Sequence, residues 1–249
     1  MSDIYEFTNK IINGDCLEIM PKIPDHSIDM ILCDLPYGIT NRNDWDFIIP
    51  IKELWNEYAR LIKENGVIVL TSWGNFSAKL IVSSEVKYQY SMVWCKPNCT
   101  NQLNAKKQPL RKHEDILVFY NKQPVYNPQG LVKKNSMTRQ GKTSTTNYGL
   151  HNRDTYFQEW TNYPNTLIYT KGITTRSHPT EKPLDLFEYL INTYTNKDFV
   201  VMDNCAGSFT TAVACEFLNR KWICIEKEEK YCKIGEKRLK EVANNMFLI

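Results

Sequence analysis

Short apolar runs bounded by turn residues recur at 10–13, 28–33, 67–71, 90–94, 115–120, 199–203 and 221–226. Runs of this length are strands rather than helices. Between them, Ile51, Leu54, Trp55, Tyr58 and Leu61 return at helical spacing, as do Leu184, Phe187, Leu190, Ile191 and Tyr194, and 212–219 reads as a further helix. Strands alternating with helices predict an α/β protein with a largely parallel sheet, the apolar helix faces packing on it. From 121 to 176 the pattern breaks down into a polar stretch rich in Asn, Thr, Gln, Lys and Tyr, with Pro124, Pro128 and Pro164. So long an irregular segment inside a compact domain reads as a functional insertion.

A chain of 249 residues suits one domain over 1–249 carrying that insertion better than two full domains. Lys and Arg total 31 against 28 Asp and Glu, so contact with a polyanion must come from local clustering of charge. No run of about eighteen apolar residues exists, and the start MSDIYEFTNK lacks a secretory pattern, so a soluble cytoplasmic protein without membrane contact is expected. Eight cysteines are scattered singly, with Cys33, Cys95 and Cys224 inside apolar runs, which reads as reduced buried thiols. Cys95 and Cys99 lack a matching pair at zinc-ligand spacing, and no metal site is expected.

Four segments carry candidate chemistry. The strand 28–33 ends in Asp34-Leu35-Pro36-Tyr37-Gly38, at the carboxyl end where open α/β sheets bind ligands. Read blandly, this is a turn with an Asp cap. The strand 199–203 runs into Asp203-Asn204-Cys205-Ala206-Gly207-Ser208-Phe209-Thr210-Thr211. Small residues in such a turn let the backbone approach a ligand, and Glu226, ending the next strand, is placed for ribose hydroxyls. The dinucleotide fingerprint Gly-x-Gly-x-x-Gly is missing. Upstream lies Ser177-His178-Pro179-Thr180-Glu181-Lys182-Pro183, in which Thr180 also reads as a cap for the following helix. Near the start, Asn13-Gly14-Asp15-Cys16-Leu17 forms a turn signal.

Together these segments resemble the amino-methyltransferases that act on DNA. Asp34-Leu35-Pro36-Tyr37 is similar to their Asp-Pro-Pro-Tyr motif, with Leu35 at a position where the motif uses only the backbone carbonyl. The 203–211 turn resembles Asp-Pro-Phe-x-Gly-Ser-Gly-Thr-Thr: Asp203, Gly207, Ser208, Thr210 and Thr211 match, while Asn204, Cys205 and Phe209 depart. Phe209 is expected to set a bulky side chain where the backbone should be bare. His178, Thr180 and Lys182 match the His-Pro-Thr-x-Lys-Pro segment bordering the methionine end of the cofactor, and Asp15 matches a Gly-Asp turn at its adenine. The order, catalytic motif before cofactor motif, is that of the permuted beta group.

The resemblance implies a Rossmann-like, seven-stranded, mostly parallel sheet, S-adenosylmethionine as cofactor, and target recognition by the insertion at 121–176. It implies cofactor contacts from Asp15, His178, Thr180, Lys182, Asp203, Cys205, Ala206, Gly207, Ser208, Thr210, Thr211 and Glu226. An exocyclic amine on a base is a poor nucleophile because its lone pair is delocalised. A carboxylate and a carbonyl accepting its two N–H bonds, here Asp34 and Leu35, aim that lone pair at the methyl. Tyr37 would stack on an extruded base and Pro36 would stiffen the turn. From 97 to 142 nine basic residues stand against Glu114 and Asp115. Of these, Lys106, Lys107, Arg111, Lys112, Lys133, Lys134, Arg139 and Lys142 are the expected contacts to double-stranded DNA, with Lys122 in the same cluster. Adenine N6 is the expected acceptor because the motif begins with Asp. Cytosine N4 and a catalytically inactive DNA-binding relative are the alternatives. A homodimer and a partner endonuclease are the assemblies the resemblance brings with it.

Overall fold

The computed structural model describes residues 3–38, 48–139, 155–171 and 181–246. Its strands are β1 (Lys10–Asn13), β2 (Ile28–Asp34), β3 (Ile62–Ser72), β4 (Tyr88–Thr100), β5 (Arg111–Phe119), β6 (Val132–Arg139), β7 (Thr155–Thr161), β8 (Leu167–Tyr169), β9 (Val200–Asp203) and β10 (Lys221–Glu226). The α-helices are α1 (Cys16–Ile19), α2 (Ile51–Leu61), α3 (Asn75–Val82), α4 (Leu184–Tyr194), α5 (Thr210–Leu218) and α6 (Glu229–Met246).

Residues 1–127 and 166–249 form one compact unit and 128–165 another. In the larger unit the strand order is β1-β10-β9-β2-β3-β5-β4-β8. All neighbouring pairs are parallel except β3 with β5 and β5 with β4, so β5 alone runs against the rest. The sheet has eight strands where seven were expected. The eighth, β8, is three residues long and sits at the edge beside β4, too short to register as a hydrophobic run inside the polar 121–176 stretch.

Both faces of the sheet are covered, and for this reason β2 reads as a nearly continuous apolar run, broken only by Asp29 before its terminal Asp34. Ile31 and Cys33 face one core with Leu54, Trp55, Tyr58 and Leu61 of α2. Met30 and Leu32 face the other with Leu186, Phe187, Leu190 and Ile191 of α4. The helical spacings in the sequence are therefore packing faces. Among the described residues no helix is long and apolar enough to cross a membrane.

The smaller unit is an antiparallel β6–β7 pair whose register slips between Lys133 and Ser136. Lys134 Nζ donates to Gln158 Oε1 at 2.6 Å, and Lys133 lies 5.5 Å from the Trp160 ring centroid. Its boundaries are narrower than 121–176: residues 121–127 and β8 belong to the larger unit.

Candidate active site

The strand order makes β10, β9, β2 and β3 consecutive, so their carboxyl ends lie side by side although β2 and β9 are far apart in the chain. Asp34, Asp203 and Glu226 each end one of the first three of these strands. All three open onto one cavity of about 560 Å³, as do Asp15, Leu35, Pro36, Tyr37 and Lys182.

At Asp34 the carboxylate is held from several sides. Its Oδ1 accepts from the Tyr37 hydroxyl at 2.9 Å and from the Thr71 hydroxyl at the end of β3. Its Oδ2 accepts from Lys182 Nζ at 2.5 Å. Lys182 also lies 3.3 Å from Glu114 Oε2, and Lys96 donates to Glu114 Oε1 at 3.0 Å. Two carboxylates and two ammonium groups thus alternate at the cavity floor, and Lys182 is only 8% exposed. Burial works to lower the Lys182 pKa, but Asp34 and Glu114 outweigh it and hold it above the usual lysine range. Burial likewise works to raise Glu114, and Lys182 and Lys96 hold it below the usual carboxylate range. The Tyr37 hydroxyl is pushed well up by burial and then by Asp34 and Glu114, so it stays a donor. Lys182, expected at the methionine end of the cofactor, has the carboxylate of the first motif as its direct partner within the chain. Sequence reasoning misses Glu114, Lys96 and Thr71, which meet Asp34 and Lys182 only through the sheet pairing of β3, β5 and β4.

The second motif is a rigid turn. Asp203 Oδ1 accepts from the Cys205 amide at 3.1 Å and Oδ2 from the Thr211 hydroxyl at 2.5 Å. Burial pushes the Asp203 carboxyl up to about 6. Glu226 accepts from the amides of Gly207 at 2.7 Å and Glu228 at 2.8 Å, and its pKa is raised by burial. Each carboxylate oxygen of Glu226 keeps acceptor capacity beyond one amide. Arg238 of α6 donates to the Ser208 carbonyl at 2.6 Å and pairs with Glu181 at 2.9 Å, pinning the turn from behind. Ser208 and Thr210 share a hydroxyl contact of 3.1 Å. Asp15 caps α1 through the Leu17 amide at 3.0 Å and meets Lys227 at 3.1 Å.

Phe209 corrects the expectation of a crowded cofactor turn. It has φ 62°, a left-handed backbone that favours glycine, but its ring is fully buried in the core. The cavity wall is formed by Ser208 and Thr210 on either side of it. Space for the ring is made by Gly235 of α6, where an added Cβ would stand 2.3 Å from Phe209 Cδ2. The Thr180 cap reading also changes: the N-cap of α4 is Pro183, with no side-chain cap bond. His178 and Thr180 lie outside the described residues.

The basic residues divide. Arg111 lines the cavity, its guanidinium 5.2 Å from the Trp73 ring, and the Trp73 and His113 rings meet at a tilt, centroids 4.8 Å apart. Lys106 and Lys107 are exposed on the turn between β4 and β5, and Lys112 donates to the Pro97 carbonyl at 3.1 Å. Lys122 is paired with Glu64. Lys133 and Lys134 stand on β6; the side chain of Arg139 and all of Lys142 lie outside the description.

A family model, N6_N4_Mtase, described as DNA methylase, matches residues 28–237. The type II methyltransferase M2.MboI of Moraxella bovis is 28% identical over 93% of this chain and 88% of its own length. The DNA adenine methyltransferase YhdJ of Escherichia coli (strain K12) is 27% identical over 92% of this chain and 82% of its own. Among solved structures, the M1.HpyAVI–SAM complex superposes with a TM-score of 0.64 at 24% identity, covering 92% of this chain and 98% of that one. The fold agrees, and the family match spans both the Asp34 and the Asp203 motifs: this chain belongs to the DNA methylase family.

Proposed function

We propose that this chain transfers a methyl group from S-adenosylmethionine to the N6 amine of adenine in double-stranded DNA. The observation that carries the reading is the meeting of Asp34 and the Asp203–Thr211 turn in one cavity, at the carboxyl ends of adjacent strands. The cavity volume is typical of small-molecule sites. Its chemistry fits the cofactor: a bare turn at Cys205, Ala206 and Gly207 for close backbone approach, Asp15 and Glu226 for the nucleoside, and Asp203 for the cationic amino-acid end. When bound, S-adenosylmethionine supplies an electrophilic methyl group.

The chain's own residues do the rest. Asp34 and the Leu35 carbonyl accept the two amine N–H bonds and turn the nitrogen lone pair toward the methyl. Pro36 fixes the spacing and Tyr37 provides the stacking ring. With the cofactor bound, the amine nitrogen would take the methyl as its bond to sulfur breaks, and Asp34 would receive the proton that nitrogen gives up. Arg111, Lys106, Lys107 and Lys112 meet phosphates near the cavity, and the 128–165 unit with Lys133, Lys134 and Arg139, within the 121–176 insertion, reads the target sequence. Adenine is favoured by the Asp-led motif and by the name of the relative YhdJ. The type II naming of M2.MboI supports a cytoplasmic enzyme working beside a partner endonuclease, and a homodimer is checked by light scattering.

The test is transfer of labelled methyl to unmodified DNA followed by nucleoside analysis. N6-methyladenine is expected. N4-methylcytosine would move the reading to the other base, and no methylated nucleoside would overturn it.

A further inference from the structure

Between β4 and β5 the chain makes a ten-residue tip, 101–110, whose lysines have been given to phosphates but whose apolar residue Leu103 has no part in the reaction described above. Leu103 at this tip is 101% exposed, the most exposed large apolar side chain among the described residues. A single exposed leucine is ordinary on a protein surface. Here three independent features surround it.

The tip is stiff. Residues Gln102–Asn104 form a 3₁₀ turn entered through Asn101 at φ 73°. The amides of Asn104, Ala105 and Lys107 are bonded within the turn at 3.0, 3.1 and 2.8 Å, and Asn104 Nδ2 donates to Asn101 Oδ1 at 2.7 Å. Gln102 Nε2 ties the turn back to the Cys99 carbonyl at 2.5 Å. A turn bonded in this way holds Leu103 out in water. The surroundings are basic: from 97 to 113 the chain carries Lys106, Lys107, Arg111 and Lys112 with no Asp or Glu. The tip is also rooted in the active site. Thr100 and Arg111 pair at its base, and both line the cavity that holds Asp34. Leu103 is three positions on from Thr100, so its Cα lies within about 11 Å of that cavity-lining residue's Cα.

We propose that Leu103 is a wedge that enters the DNA stack beside the target adenine and occupies the space the extruded base leaves. Extrusion breaks the target base's stacking, and an inserted apolar side chain recovers part of that contact. The lysines on the tip bring it against the phosphates, and the rigid turn spares the leucine an ordering cost on insertion. This rests on the adenine-methylation reading and adds how the duplex is opened.

The experiment compares wild type with Leu103→Ala in single-turnover methylation of two duplexes, once the target sequence is mapped on plasmid DNA. In one the target adenine is paired with thymine; in the other it faces an abasic site, so that no pairing opposes extrusion. Leu103→Ala should slow the paired duplex by about tenfold or more and the unpaired one by less than about twofold, with cofactor affinity unchanged. The rise in 2-aminopurine fluorescence at the target position should be lost in the variant. Lys106→Ala/Lys107→Ala should instead weaken binding of both duplexes equally and lower the salt dependence. Equal rates for Leu103→Ala and wild type on the paired duplex, or an equal loss on both duplexes, would overturn the wedge. Wild type that methylates neither duplex would sink the underlying reading instead.

Discussion

The packing of Phe209 against Gly235 makes a quantitative prediction. Phe209 is fully buried, so Phe209→Ala should cost about 3–5 kcal/mol. Its φ of 62° is strained for any residue with a Cβ, by about 1 kcal/mol, so Phe209→Gly should cost roughly 2–4 kcal/mol. Glycine should therefore be the milder of the two, the reverse of the usual backbone order. Gly235→Ala would bring a Cβ to 2.3, 2.5 and 2.8 Å from three ring carbons, well inside carbon contact distance, at a cost of about 1–3 kcal/mol. In the Phe209→Gly protein the ring is gone, and the same change should stabilise α6 by up to about 1 kcal/mol. The double-mutant cycle should thus show a coupling of roughly 2–4 kcal/mol. Urea unfolding of the four proteins measures it, with calorimetric titration of S-adenosylmethionine alongside. Because the ring lies behind the turn, cofactor affinity should move by less than about threefold. The reasoning fails if Phe209→Gly is as stable as wild type, or if Gly235→Ala is equally harmful with and without the ring.

Asp34→Ala should abolish methyl transfer while S-adenosylmethionine still binds, checked by single-turnover assay and calorimetry on the same protein. Glu114→Gln leaves the buried Lys182 and the partly buried Lys96 with too little negative charge; stability in urea should drop by about 3 kcal/mol, and the transfer rate should fall more than cofactor affinity does. Asp203 predicts a pH dependence. Its folded pKa of about 6 lies above the ordinary 3.8, so ionising it costs the folded protein, a cost absent below about pH 3.8 and complete above about 6. Cofactor affinity should fall as the pH drops through about 6 and the carboxylate is neutralised. Glu226, raised by burial in the same cavity, also titrates, so the decisive observation is loss of the step near 6 in Asp203→Asn, measured by calorimetry from pH 5 to 8.

A strand with both faces buried shows itself as an apolar run, and so β10 falls where the pattern puts it. Helices α3 and α6 were not read: α3 is eight residues long and α6 is heavily charged, with Glu or Lys at most of its outward positions. Short β8 was invisible for want of length. At the site, Asp34, Asp203 and Glu226 were legible because a strand's carboxyl end is a local signal. Glu114 was not, since its meaning depends on Lys182 arriving from another part of the chain. For the same reason Phe209 looked like an obstacle: nothing in its own segment reveals the glycine that receives it.

The placement of β9 between β2 and β10 bears on how the chain is made. Strand β2 is synthesised early, yet one of its two edges waits for β9, about 170 residues later. At ordinary rates of translation this lag is roughly ten to thirty seconds. Throughout it, a largely apolar strand of the nascent chain, Ile28–Asp34, has one edge without its β9 partner. Expression of this protein should therefore depend on chaperone supply and growth temperature.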